Sequence, residues 1–289
     1  MFEKVLIPTD FSEYAQITLE CIGDIPGVKE VVLLHVVDTV HLSKKGLAQD
    51  LYTRDAAIRL DKQKKQLENL GLDVKVKIEV ITGGDVSRAI LDALNKEKIA
   101  LVIMGAHGKS LIEGILLGSV ATDVLRYGNT HVLIMRNKFT QRHGAKKDDR
   151  SFPNVFSKVL LPVDFSEPAM ETLSLVKDMN GIKEAVLVHV VDKGETQDEI
   201  DASIQEAKKR LEDTGKDFSS KGIKVKIHVL TGSPSESIIS MAEEENVSLI
   251  IISTLGKGMF RELLLGGTAR DVARRTNRSV LAVRAGKLK

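Results

Sequence analysis

The chain states one domain twice. Residues 5–13, VLIPTDFSE, return as VLLPVDFSE at 159–167 with seven of nine positions identical. HVVD at 35–38 recurs unchanged at 189–192, the same 154 residues on, and ILLGSVATDV (115–124) returns as LLLGGTARDV (263–272), 148 residues on. Such a six-residue drift is what a loop deletion leaves behind. A repeat of this length constrains the fold before any element is assigned: two similar domains in tandem, each of ordinary domain size and able to bury its own core. Positions kept in both copies answer to one local constraint, and positions that differ separate one site from the other.

Each half alternates short aliphatic runs with helical periodicity, the pattern of β-α-β units around a parallel sheet. Aromatic residues are only 4% and Trp is absent, so the core rests on Val, Ile, Leu and Ala, as in parallel strands covered on both faces. Strands are predicted near 4–8, 31–37, 74–81, 99–104 and 131–135, and again near 158–162, 185–191, 223–230, 248–252 and 279–283. Helices are predicted near 13–23, 51–69, 86–97 and 119–127. The second helix places Ala57, Leu60, Leu67 and Leu70 on one stripe and stops at Gly71. In the second half, Ser233-Pro234-Ser235-Glu236 reads as a capping box. NKFTQRHGAKKDDRSFPN (137–154) has no apolar periodicity. The domains are therefore 1–137 and 155–289, joined by a solvated linker at 138–154. The fold class is α/β, two tandem doubly wound five-stranded parallel-sheet domains.

Charged residues make up 28% of the chain but nearly cancel, at +2 overall, which argues against nucleic acid or a membrane surface as partner. The single cysteine, Cys21, excludes an intrachain disulfide and fits a reducing compartment. It lies at the edge of an apolar helical stripe (Ala15, Thr18, Leu19, Ile22), the place of a packed thiol. MFEKVLIPTD lacks the apolar stretch of a signal peptide. A cytoplasmic protein is expected.

Right-handed crossovers place strands 1 and 4 side by side at a switch point, with ligands beyond their carboxyl ends. After strand 4 come Gly105-Ala106-His107-Gly108, then nine residues, then Gly118-Ser119 opening a helix. Glycine at the strand end lets a ligand approach the backbone, and Gly108 permits turn geometry that other residues resist. Unpaired N–H groups at the helix start favour an anion. The dipole supplies only ~0.3–2 kcal/mol of the ~8 kcal/mol that micromolar affinity needs. Backbone N–H bonds, the Ser119 hydroxyl and an apolar ligand body must supply the rest, and a nucleotide offers all of these. Gly108-Lys109-Ser110 is not the end of a Walker A loop, because Ile103 stands where that motif needs glycine. After strand 1, Pro8-Thr9-Asp10-Phe11-Ser12 offers Ser12 as a helix cap. Asp10 reads either as a second turn residue or as an acceptor for a ligand's amino or hydroxyl groups. His35 and His189 read as satisfied strand residues.

These motifs resemble the universal stress protein family over almost the whole chain. Nucleotide-binding members of that family carry G-x-x-G, nine residues, G-[ST], and Gly105, Gly108, Gly118 and Ser119 match it throughout. The resemblance implies that Asp10 and the backbone of Val36 hold adenine or ribose, and that Gly105, His107, Gly108, Gly118, Ser119 and Val120 line the phosphates. Pro8, Thr9 and Met104 are implied as further nucleotide-binding residues. The corresponding second-half residues are Pro162, Val163, Asp164, Val190, Ser253, Gly256, Gly266, Gly267 and Thr268. An adenine nucleotide (ATP, ADP or AMP) is the implied cofactor, with Mg2+ accompanying ATP. Pairing of the last strands into an internal pseudo-dimer, a homodimer of tandem chains and further protein partners are implied likewise.

The second copy departs from the pattern: Ser253 replaces Gly105, Gly267 replaces Ser119, and Thr268 follows where Val120 stood. Losing a hydroxyl bond to a charged phosphate costs ~1.5–3 kcal/mol, so weaker binding is expected there, with Thr268 as partial compensation. The expected function is a nucleotide-binding stress-response or regulatory sensor with at most slow hydrolysis, not an enzyme. No Walker A motif or HExxH appears, and the seven histidines are dispersed. The alternatives are a scaffold that binds no nucleotide and a weak ATPase.

Overall fold

The computed structural model describes residues 2–40, 49–108, 117–136, 155–192, 196–256 and 265–284. The chain divides into two compact units, Met1–Asn137 and Lys138–Lys289. The linker at 138–154 and Lys109 lie outside the described residues.

The first unit runs β1 (Lys4–Pro8), α1 (Glu13–Glu20), β2 (Glu30–Asp38), α2 (Gln49–Glu68), β3 (Asp73–Ile81), α3 (Val86–Lys96), β4 (Leu101–Gly105), α4 (Ser119–Tyr127) and β5 (His131–Met135). The second repeats it as β6 (Lys158–Pro162), α5 (Glu167–Lys177), β7 (Glu184–Val191), α6 (Gln197–Ser220), β8 (Lys224–Thr231), α7 (Pro234–Glu244), β9 (Leu249–Ser253), α8 (Gly267–Arg275) and β10 (Ser279–Val283). All pairings within a unit are parallel, in the order β3-β2-β1-β4-β5 and, for the second, β8-β7-β6-β9-β10. This is the doubly wound order that the sequence predicts. β1 registers with β4 only at Val5↔Leu101 and Leu6↔Val102, and β6 with β9 only at Val159↔Leu249 and Leu160↔Ile250. Beyond those pairs the strands are free to part, as at the switch point of a doubly wound sheet, and in the second unit a cavity lies there.

The aliphatic core is as expected: Val5, Leu6 and Ile7 and their neighbours Leu101, Val102 and Ile103 are fully buried. Phe2, Phe156 and Phe218 add aromatic bulk. Cys21 is buried, and burial pushes its thiol up to about 12, so it stays protonated and inert.

Two local expectations fail. The buried stripe of α2 is Ala56, Leu60, Gln63 and Leu67, while Ala57 and Leu70 are exposed. The helix ends at Glu68, so Leu70 belongs to the turn completed by Gly71 at φ 80° and not to the helical face. At the start of α7, Ser233 makes no side-chain capping bond. Pro234 already removes one orphan N–H there. Elsewhere the first helix is shorter than predicted, with a 3-10 turn at Ile22–Asp24 replacing its end.

An ion cluster repeats in both units. Glu97, just past α3, meets Lys75 at 2.9 Å, Lys77 at 3.0 Å and Lys4 at 3.5 Å. Glu245, just past α7, meets Lys226 at 2.6 Å, Lys158 at 2.9 Å and His228 at 3.2 Å. Hydrogen bonds from these lysines hold both carboxyls down at about 2. Each cluster ties the helix before the ligand-side strand to β1 and β3 or their counterparts.

Candidate functional site

The loop after β1 is held by its own side chains. Asp10 Oδ1 accepts from Ser12 N at 2.9 Å, Thr9 Oγ1 accepts from Phe11 N at 3.2 Å, and Ser12 caps α1 through Ala15 N at 3.2 Å. In the second unit Asp164 Oδ1 accepts from Ser166 N at 3.0 Å and from Ser166 Oγ at 2.6 Å. The turn role of Asp10 is therefore real, and it uses one carboxylate oxygen. The other points at the glycine loop: a Cβ on Gly108 would stand 2.7 Å from Asp10 Oδ2, and one on Gly256 would stand 2.8 Å from Asp164 Oδ2. Close approach to this carboxylate explains both glycines. Neither has a positive φ, so the carboxylate and not a special turn geometry requires glycine there.

The left-handed backbone belongs instead to Phe11 and Phe165, each at φ 60°, a conformation that costs a side-chain-bearing residue ~1–2 kcal/mol. Each ring is fixed from both sides. Phe11 stacks on His35 at 4.4 Å with Arg59 at 5.5 Å from its centroid. Phe165 stacks on His189 at 4.8 Å with Arg210 at 3.9 Å. The histidines are satisfied, as expected: His35 Nδ1 lies 2.7 Å from Thr9 O, and His189 Nδ1 lies 2.6 Å from Val163 O. Sequence reasoning missed this Arg–Phe–His stack. Its signal was present, since Asp55 with Arg59 and Glu206 with Arg210 recur 151 residues apart and each forms an i,i+4 ion pair.

The loops after β4 and β9 fold back alike. Ala106 O accepts from Gly118 N at 2.8 Å, and Thr254 O accepts from Gly266 N at 2.7 Å. This places the amino ends of α4 and α8 beside the strand termini. Gly118 and Gly266 are extended caps (φ −66° and −74°), so the first N–H groups of each helix lack side-chain acceptors and face an anion-favouring end. Gly105 has another explanation than ligand approach. A Cβ there would meet His107 O at 3.1 Å and Tyr14 Cβ at 3.4 Å, which is packing of the strand end on α1. In the second unit Ser253 stands in the place of Gly105 and Pro168 in that of Tyr14.

Pro162, Val163, Asp164, Val190, Ser253, Gly256, Gly266, Gly267 and Thr268 all line one cavity of about 690 Å3. His189, Phe165, Glu206, Arg210 and Thr254 share its wall. In the first unit Pro8, Thr9 and Asp10 follow β1, Val36 lies in β2, Met104 and Gly105 end β4, and Ser119 and Val120 open α4. His107 lies between the glycines, its ring edge-on to Tyr14 at 5.8 Å. Burial, and secondarily the charge of Arg136, push it below the usual imidazole range, so it is neutral at pH 7. The second unit has Leu255 there.

A profile of the Universal stress protein family matches residues 1–136 and 156–284. A universal stress protein of Methanocaldococcus jannaschii is 33% identical over 160 residues, covering 48% of this chain and 97% of that protein. One from Synechocystis is 25% identical over 289 residues, 97% of this chain and 89% of its own length. The crystal structure of a universal stress protein from Archaeoglobus fulgidus superposes with a TM-score of 0.68 at 27% identity, covering 99% of this chain and 97% of the other.

Proposed function

The chain belongs to the universal stress protein family, and from that premise we propose that it binds an adenine nucleotide in each half and acts as a stress-response or regulatory sensor. One observation carries the reading: nine residues chosen from sequence line a single cavity whose wall includes the Asp164 carboxylate and the amino end of α8. The void, about 690 Å3, lies within the range of small-molecule sites. Asp164 and the Val190 backbone would take adenine and ribose, and the amides around Gly256, Gly266 and Gly267 would take phosphates. Asp10, Val36, Gly108, Gly118 and Ser119 would do the same in the first half. A Cβ on Gly267 would meet nothing within 4 Å, which leaves room for a phosphate oxygen.

The output of binding is conformational or partner-mediated, with hydrolysis at most slow. Among the described residues no three His, Cys, Asp or Glu side chains gather into a metal-binding group. No helix among the described residues is long and apolar enough to cross a membrane. A cytoplasmic homodimer is part of the same proposal.

Denaturing freshly purified protein and identifying released nucleotide by mass spectrometry tests the reading. Two adenine nucleotides per chain are expected, and one would confine binding to a single half. No nucleotide, with no uptake of added ATP, would leave the scaffold alternative.

A further inference from the structure

The second helix of each unit is built on one plan and finished differently on its outer face. Ala56, Leu60 and Leu67 of α2 match Ala207, Leu211 and Phe218 of α6 as the buried stripe, 151 residues apart. Away from that stripe α2 carries Leu51 and Ile58, 60% and 72% exposed. At the same positions α6 carries Ala202 and Lys209, both exposed. The scaffold therefore does not require large apolar side chains there. Seven residues make about two turns, so Leu51 and Ile58 lie on one face. An Arg59–Asp55 pair at 2.8 Å and a Lys65–Asp61 pair at 2.6 Å flank Ile58. An apolar centre in a polar rim is the anatomy of an association surface.

The charges along α2 select the occupant. Asp50, Arg54 and Asp55 leave its amino half at −1. Arg59, Lys62, Lys64 and Lys65 against Asp61 and Glu68 leave its carboxyl half at +2. Two copies of α2 laid antiparallel about a twofold axis near Ile58 set each half against its opposite charge and oppose their helix dipoles. A parallel pair would set like against like. The neighbouring strand offers no competing surface. β3 is the outer strand of its unit, and Lys75 and Lys77, paired with Glu97, guard it.

We propose that the outer face of α2 is a self-association surface, pairing the chain with a second copy through a twofold-symmetric antiparallel helix contact centred on Ile58. The surface belongs to the first half alone. It rests on the homodimer of the preceding subsection, to which it gives a face, and is independent of nucleotide binding. Two large apolar side chains per copy make a small contact, so the pairing is reversible and concentration-dependent.

Sedimentation equilibrium of the full chain, over a range of protein and salt concentrations, tests it. Leu51→Ala with Ile58→Lys, the residues that α6 carries, should weaken one association step by ~10-fold or more. Added salt should weaken the same step in the wild type. Ile58→Cys should form chain-to-chain disulfides under mild oxidation, Cys21 being buried, whereas Lys209→Cys should not. A double variant with wild-type association overturns the proposal while leaving a homodimer built on another face. A wild type that stays monomeric at every concentration overturns both the face and the homodimer, with nucleotide release unaffected. Cross-linking equal at residues 58 and 209 overturns the face even if the double variant folds poorly.

Discussion

The two halves share a scaffold and differ in the glycine loop and at the start of the helix that follows it. Both keep the carboxylate held against a loop glycine, the left-handed phenylalanine and the histidine bonded to the loop carbonyl. The first half has Tyr14, Gly105, Ala106, His107 and Ser119, where the second has Pro168, Ser253, Thr254, Leu255 and Gly267. The loop after the first strand is thus held constant, while the glycine loop and the helix start change between the copies.

The largest predicted effect silences one half alone. Gly118 has an extended backbone that valine adopts readily, φ −66° and ψ 160°, and a Cβ there would stand 3.4 Å from Ala106 O. Gly118→Val should abolish nucleotide uptake by the first half, more than ~100-fold or ~2.7 kcal/mol, with little change in Tm. Released nucleotide should fall from two to one per chain. Normal stoichiometry in this variant would mean that the helix amino end does not hold phosphate.

The converse change should bring the copies together. Gly267→Ser adds a side chain into open space and replaces a poor helix former. Affinity of the second site should rise up to ~10-fold, the worth of about one net hydrogen bond, with a slightly higher Tm.

Acid stability tests where the copies agree. Glu97 and Glu245 are both held at about 2, below the ordinary 4.5. A depressed folded-state pKa contributes stability above the unfolded value, lost as pH falls from about 4.5 toward about 2. Glu97→Gln and Glu245→Gln should each cost on the order of 1 kcal/mol near neutrality, after solvent screening of the half-exposed lysines. Below pH 2 the difference from wild type should vanish, as read by denaturant titration at several pH values.

His107 offers a smaller contrast. Burial and Arg136 keep it neutral at pH 7. Protonation below its lowered pKa adds a positive charge at the phosphate end. ATP affinity of the first half, relative to the second with Leu255, should therefore rise a few-fold on acidification below the usual imidazole range. A parallel response of both halves, or its persistence in His107→Leu, would assign it to the nucleotide's own titration.

The sheet order and the loop carrying each site residue were legible because hydrophobic period, glycine punctuation and the repeat all pointed the same way. The reasons behind particular residues were less legible. Gly105 and Gly108 look alike in a motif, yet a side chain at the first would press on the His107 carbonyl and one at the second on the Asp10 carboxylate. Such identities depend on which side chain arrives from a distant element. The same holds for α2, where spacing alone favoured Ala57 while the fold buries Ala56. A one-residue rotation of a helix face changes few apolar matches, so periodicity discriminates poorly between the two.

The smallest predicted difference concerns the stack behind each phenylalanine. Arg210 lies 3.9 Å from the Phe165 centroid and Arg59 lies 5.5 Å from that of Phe11. Both guanidinium groups are about half exposed, where a cation on a ring contributes ~0.5–1 kcal/mol and fades near ~6 Å. Arg210→Met should therefore lower stability of the second unit by about that amount, and Arg59→Met should cost the first unit less. Each stack also holds a left-handed residue next to the acceptor carboxylate. If that restraint positions Asp164, Arg210→Met should weaken nucleotide binding by about the same factor as stability, roughly 2- to 5-fold. Equal costs at Arg59 and Arg210 would mean that i,i+4 pairing with Asp55 and Glu206, and not the ring, fixes the arginines. A stability loss at Arg210 with binding untouched would make the stack a clamp on the helix alone.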